Sequence, residues 1–234
     1  MFIGCAGWSL SREYCPDFPT EGTHLQRYAT RVNCAEINSS FYRPHRRQTY
    51  QRWAESVSPN FRFSVKLPKL ITHELQLQHC DQALDEFLQQ CSGLGEKLGC
   101  LLIQLPPKLA FDAPQAEAFF SKLRERSNKD VVLEPRHESW TTAHDLLIEH
   151  RIAQAAVDPS RISTDATPQG WPGLRYWRLH GSPRIYHSAY EPTYLQQLAN
   201  QLQTTNTWCI FDNTASGAAL GNALSLATCC ESRS

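Results

Sequence analysis

The acids Glu36, Glu134 and Asp158, the histidine His180 and the cations Lys66, Arg136 and Arg178 each stand at or near the end of a short apolar run. Glu134 and His180 are the natural proton carriers of this set, because both titrate within reach of neutrality once burial or a neighbour shifts them. Lys66, Arg136 and Arg178 supply positive charge that suits a carboxylate or phosphate on a substrate. Asn38, Gln104 and Asn213 carry amides that orient hydroxyls. Tyr42 and Trp140, just past their runs, carry rings that stack on a sugar or base, with plain rim packing an equally weighted alternative. The candidate catalytic residues are therefore Glu134, His180, Lys66 and Asp158. The candidate substrate-binding residues are Glu36, Asn38, Tyr42, Gln104, Arg136, Trp140, Arg178 and Asn213.

Regular elements must hold these groups at one place. Strand-like runs rich in Val, Ile, Leu, Phe, Trp or Cys fall at 2–7, 33–38, 61–67, 99–105, 130–135, 152–158, 174–180 and 207–212. Helix-length stretches lie between them at 23–31, 48–56, 80–91, 114–126, 141–151, 192–203 and 216–228. Asp112 with Pro114, Thr141, and Pro192 read as helix starts. After Asp158 the prolines and glycines at 159, 168, 170, 172 and 173 predict an irregular loop instead of a helix. Alternation of β and α on this scale implies a parallel sheet, and eight units of about 29 residues fit a single-domain, TIM-like (β/α)8 barrel over 1–234. A doubly wound open sheet is second, because Gly4-Cys-Ala-Gly7-Trp8 lacks the third glycine of a dinucleotide fingerprint.

Alternation along each strand then sorts the side chains. Phe61, Phe63, Val65 and Leu67 share a face expected to pack on helices, so Arg62, Ser64 and Lys66 point into the barrel, with Arg62 near its bottom. The same rule turns Glu36, Asn38, Gln104, Glu134, Arg136, Asp158, Arg178 and His180 inward, and Ile37, Leu101, Ile103, Leu133, Val157, Trp177 and Leu179 outward. The last strand admits either Asp212 or Asn213. With Asp212, four inward acids face four permanent cations, and such a set must be paired because an isolated buried charge is too costly. Salt bridges filling a polar core would give the same pattern. Its position at strand C-terminal ends, where barrel enzymes carry their chemistry, favours a site.

Across these positions the chain resembles the YecE-like family, domain of unknown function 72. The motifs are Gly4-x-x-Gly7-Trp8, Glu36-Ile-Asn38-Ser-Ser-Phe41-Tyr42-Arg-Pro44, Phe63-Ser-Val-Lys66-Leu-Pro68, Gln104-Leu-Pro106-Pro107, Glu134-Pro-Arg136-His137-x-x-Trp140, Arg178-Leu-His180-Gly181 and Phe211-Asp-Asn213. The resemblance implies a TIM-barrel-like fold and no established reaction. It also implies paired asparagines where this chain has Asp212-Asn213, which favours Asn213 over Asp212 as the site residue of the last strand.

Composition removes other classes. Lys plus Arg and Asp plus Glu number 23 each, so no overall field favours nucleic acid or an anionic membrane. The start, Met1 to Trp8, has neither a basic leader nor a long apolar stretch, and reads as a first strand. Nine cysteines, without a CxxC pair and several within apolar runs, read as small buried hydrophobes in a reducing cytoplasm, with Cys229-Cys230 in a disordered end.

Three chemistries compete. A glycosidase needs two carboxyl groups flanking one bond, and Glu36 with Glu134 would serve, but the interior cations suit a neutral glycan poorly. A metal-dependent phosphodiester hydrolase or nuclease, resembling endonuclease IV barrels, would use Glu36, Glu134, Asp158 and His180 as ligands, though no HxH, HExxH or DxD spacing backs it. The preferred reading is metal-free acid–base chemistry on a phosphate- or carboxylate-bearing small molecule, of hydrolase, lyase or isomerase class and without a defined cofactor. In it Lys66 binds phosphate more readily than it forms a Schiff base. A non-catalytic barrel that binds an anion or a partner is a further alternative. Arg43, Arg46 and Arg47, with Tyr42 and Tyr50 nearby, would grip a nucleic-acid backbone, the plainer reading being a solvated helix start. His73, His79, His137, His144, His150 and His187 lack ligand spacing and are expected at the surface.

Overall fold

The expected alternation is present. The computed structural model describes residues 1–11, 13–202 and 206–232. In chain order it runs β1 (Phe2–Ala6), α1 (His24–Tyr28), β2 (Cys34–Ile37), α2 (Arg47–Glu55), β3 (Arg62–Lys66), α3 (Asp81–Cys91), β4 (Leu98–Gln104), α4 (Ala113–Arg126) and β5 (Asp130–Glu134). It continues with α5 (His144–Glu149), β6 (Ile152–Gln154), β7 (Ala156–Asp158), β8 (Gln169–Gly170), β9 (Arg175–Leu179), α6 (Pro192–Gln201), β10 (Thr207–Phe211) and α7 (Ala218–Glu231). The sheet order is β7-β9-β10-β1-β2-β3-β4-β5-β6-β8. Because β6 and β7 are consecutive halves of one run, separated at Ala155, that run pairs with β5 on one side and β9 on the other and closes the ring. Every pairing in the ring is parallel; β8 is an antiparallel addition to β6. The chain is one α/β domain with a TIM-like barrel.

Local signals account for several helix starts. Thr23 and Gln26 form a reciprocal capping box at α1, and Asp112 accepts from Gln115 N at 2.9 Å at α4. Pro192 occupies the first turn of α6, where its missing N–H costs nothing. The fifth helix begins three residues later than Thr141, because a 3-10 turn over Glu138–Thr142 intervenes. The expected helix end at residue 203 lies outside the described residues. Cys229 and Cys230 belong to α7 instead of a disordered end, and all nine cysteines are free thiols. No helix among the described residues is long and apolar enough to cross a membrane.

The core has two layers. Outside the sheet, Ile37, Phe63, Val65, Leu101, Ile103, Leu133, Leu179 and Phe211 pack under the helices. Inside, Cys34, Cys100, Leu102, Val132, Ala153, Ala155, Val157, Tyr176, Trp208 and Ile210 fill the lower barrel, with the Tyr176 and Trp208 rings stacked 6.1 Å apart. Val157 therefore faces inward, opposite to expectation, and Asp158 outward. The physical reason is that a closed parallel barrel buries both faces of a strand, so apolarity does not reveal which face is which. Trp208 and Ile210 being inside likewise puts Asp212, not Asn213, on the interior face of the last strand.

Candidate active site

Above the apolar floor lies a polar layer at the C-terminal strand ends, organised on Arg178. From β9 its guanidinium reaches across the barrel, donating Nη2 to Glu36 Oε1 at 2.7 Å and Nε to Glu36 Oε2 at 3.0 Å. Nη1 donates to Glu134 Oε2 at 3.0 Å and to Gln104 Oε1 at 3.2 Å, and Nη2 lies 2.9 Å from Asp212 Oδ2. Glu36, Glu134 and Arg178 are fully buried. Tyr176 completes the base of the layer, donating its hydroxyl to Glu36 Oε2 at 2.9 Å. Arg136 closes the upper side, donating Nε to Glu134 Oε1 at 3.0 Å and Nη2 to Gln104 Oε1 at 3.1 Å.

These pairings set the protonation states. Burial alone would raise the Glu134 carboxyl, but Arg178, His180 and Arg136 outweigh it and hold it well below the usual carboxylate range. Asp212 is treated the same way, chiefly by Arg178 and His180. Burial works against the Arg136 charge, yet Glu134 and Tyr186 hold it above its ordinary value. Glu36, Glu134 and Asp212 thus share the Arg178 guanidinium, and Glu134 also holds Arg136.

His180, fully buried, links Glu134 to Asp212 at the cavity floor. Its Nδ1 lies 3.0 Å from Asp212 Oδ2, while Nε2 lies 3.3 Å from Glu134 Oε1 and 3.4 Å from Arg178 Nη1. In the tautomer that carries its proton on Nε2 the ring donates to Glu134, and in the other it accepts from Arg178. The chain leaves β9 through Gly181 at φ 93°, where an added Cβ would stand 2.8 Å from Ser188 O. Only glycine meets both demands comfortably.

A cavity of about 630 Å³ opens above the layer, lined by Asn38, Phe41, Tyr42, Lys66, Lys69, His73, Gln104, Arg136, Tyr186, His187 and Asp212 among others. Lys66 is the notable member. It is 4% exposed, and its Nζ sits 4.1 Å above the Phe41 ring centroid. Among the described residues no carboxylate comes within the 4.0 Å of an ion pair. Burial, then Arg178, pushes its ammonium down from 10.5 to about 8 despite the nearby acids. Asn38 Oδ1 is a second exception, a buried acceptor with no hydrogen-bond partner.

The expected residues therefore divide. Glu36, Lys66, Gln104, Glu134, Arg136, Arg178 and His180 come together, with Asn38 and Tyr42 on the cavity wall. Asp158 does not join them: its carboxylate accepts from Tyr190 OH at 2.8 Å beside a separate depression with Ser182 and Tyr194. Trp140 is 2% exposed, donates Nε1 to Leu109 O at 2.9 Å and packs on Phe111, so its ring offers no stacking face. Asn213 donates to Ser188 O and Asn222 Oδ1, both at 2.9 Å, and fastens the loop after β9 to α7. The metal alternative loses its ligand set, because Glu36 and Glu134 converge on Arg178 and Asp158 lies apart. Among the described residues no group of three His, Cys, Asp or Glu is arranged to hold an ion. Of the exposed arginines, Arg47 donates to Ser92 Oγ at 3.2 Å, and Arg43 borders a different groove. His73 and His187, expected at the surface, line the cavity, as do Tyr186 and Lys69. Spacing gave no sign of these four; their only signal is that each lies shortly past a polar strand end.

A sequence model of the family described as "Protein of unknown function DUF72" matches residues 2–234. The chain belongs to the DUF72 family. Curated relatives include the UPF0759 protein YecE of Escherichia coli K12, 36% identical over 107 residues, which is 45% of this chain and 38% of that relative. The chain thus matches well under two thirds of YecE's length. The UPF0759 protein YunF of Bacillus subtilis is 22% identical over 95% of this chain and 92% of its own. Among solved structures, a DUF72 family protein from Thermotoga maritima has a TM-score of 0.80 at 23% identity, covering 98% of each chain. Another from Enterococcus faecalis has a TM-score of 0.78 at 21% identity, covering 98% of this chain and 95% of its own. These likenesses bear on the fold of a DUF72 protein.

Proposed function

We propose that this DUF72 protein is a barrel enzyme performing acid–base chemistry on a small molecule that carries a phosphate or carboxylate. The observation that carries the proposal is the pairing pattern in the cavity. Among the described residues no carboxylate lies within ion-pair distance of Lys66, and Arg136, fixed by Glu134 and Gln104 on its inner side, stands on the same wall. An anion entering there meets two cations without displacing an existing carboxylate from Arg178.

The roles follow from position. Arg136 anchors the anion, and Lys66, nearly sealed from water, is the group whose protonation changes near neutrality. Asp212 is the carboxylate at the cavity, with the His180 ring between it and Glu134. Asn38 and Gln104 receive substrate hydroxyls or amides. Tyr42, 73% exposed, covers the lip. A ligand that binds only the folded state raises its stability with concentration, so thermal unfolding in inorganic phosphate, with sulfate and citrate as further anions, tests the reading. The melting temperature rises with anion concentration in wild type and stays flat in Arg136→Met. A flat response in wild type, or an equal rise in the variant, refutes the anion site.

A further inference from the structure

We infer that Lys66 is a nucleophile toward carbonyl compounds, forming an imine with an aldehyde or ketone group of the anionic substrate. The inference rests on the anion-site reading and gives the substrate class a second feature, a carbonyl near the phosphate or carboxylate. Four observations support it. Lys66 is buried and unpaired, whereas a lysine serving only as a charge gains from exposure or a partner. Lys69, its neighbour on the same wall, is half-exposed and bound to Glu74 at 3.1 Å, so it is the lysine whose charge is committed. The Phe41 face at 4.1 Å from Nζ holds a cation without neutralising it, and serves a protonated imine as well as an ammonium. Asn38 lines the same cavity, and its Oδ1, buried and without a partner among the described residues, is the acceptor offered to a carbinolamine hydroxyl. The Lys66 ammonium, lowered from 10.5 to about 8, leaves about a tenth of the amine free at pH 7, far more than an ordinary lysine offers.

The step balances without any oxidant or reductant. The Lys66 ammonium gives one proton to the solvent, and the free amine attacks the carbonyl carbon, forming a C–N bond as the C=O π pair moves onto oxygen. A proton passes from nitrogen to that oxygen, giving the carbinolamine. A proton from the solvent then reaches the hydroxyl, which leaves as water while the nitrogen lone pair forms C=N. In sum, an ammonium and a carbonyl give a protonated imine and one water. That imine draws electrons from the adjacent carbon, which assigns the enzyme to lyase or isomerase chemistry.

The test is reductive trapping on the full chain. Wild type is incubated with dihydroxyacetone phosphate, dihydroxyacetone, pyruvate or glyoxylate, reduced with sodium borohydride, and analysed by intact mass and peptide mapping. Formaldehyde with a borane reductant measures the reactivity of each lysine independently of substrate shape. The expected result is methylation of Lys66 ahead of Lys69, Lys97, Lys108, Lys122 and Lys129, and an adduct on Lys66 from at least one anionic probe. The adduct is suppressed by inorganic phosphate and lost in Lys66→Arg. The mapped position in wild type keeps the test decisive even if the variant folds poorly. Equal trapping of dihydroxyacetone and its phosphate, with no protection by phosphate, would keep the nucleophile and discard the anion site. Stabilisation by phosphate with Lys66 no more reactive than the other lysines, or no adduct from any probe, overturns the imine and leaves the anion site standing.

Discussion

Replacing Arg178 by Met tests how the polar layer is held. Met has a similar length, so the change removes charge more than volume. Three carboxylates touch the guanidinium, but they are not equally dependent on it. Glu134 keeps Arg136 and Asp212 keeps His180, while Glu36 is left with the Tyr176 hydroxyl at 2.9 Å as its remaining charge-stabilising contact from across the barrel. The cost is therefore that of one stranded buried charge, about 3–5 kcal/mol, not three times that. For a chain of this size it corresponds to a fall of roughly 6–20 °C in Tm. The pH dependence supplies a second check. Glu134 and Asp212 are held below their ordinary values of 4.5 and 3.8, so in wild type they contribute stability that is present above those values and lost as pH falls through the depressed ones. Without Arg178 burial dominates and that contribution shrinks or reverses. The wild-type advantage is thus full at neutral pH and diminishes in acid. Urea unfolding at neutral pH and near the ordinary carboxylate values, at fixed ionic strength, measures both effects. A variant as stable as wild type at neutral pH, or one whose deficit grows in acid, would refute the reasoning.

Lys66→Met has the opposite sign. A lysine moved from 10.5 to about 8 binds fewer protons folded than unfolded between those values, so its charge destabilises below about 8 and the penalty fades as pH rises to 10.5. The variant should be more stable than wild type at neutral pH by up to about 3 kcal/mol, a gain that disappears in alkali and is read from paired denaturation curves. Tyr176→Phe removes the hydroxyl given to Glu36 at 2.9 Å and standing 3.0 Å from Ser64 Oγ, and should cost about 1–3 kcal/mol; a neutral result would mean Glu36 finds another donor. Gly181→Ala forces a side chain into φ 93° against Ser188 O, and should cost about 1–3 kcal/mol in the same assay and loosen the Tyr186 loop, visible as faster amide exchange after β9.

Much of the site was legible because each strand carries its chemistry at one end. Polar groups closing apolar runs, such as Glu36, Lys66, Gln104, Glu134 and Arg178, can only be accommodated together, and the parallel barrel is the arrangement that gathers them. What could not be read was the identity of each partner. Arg178 and Glu36 are 142 residues apart in sequence, and their 2.7 Å contact depends on barrel closure through the broken run of β6 and β7.

The amino-acid sequence alone determined the alternation of elements, the need for interior charges to be paired and the end of the barrel where they collect. Local propensity, periodicity and the cost of unpaired charge are properties of short segments and residue counts, so they survive without coordinates. Tertiary structure decided the phase of β7 and β10, because both faces of those strands are buried and apolarity cannot tell them apart. It turned Asp158 outward, buried Trp140 and brought Asp212 inward. It also left Lys66, among the described residues, as a buried lysine with no carboxylate at ion-pair distance, because Arg178 reaches across the barrel to all three acids.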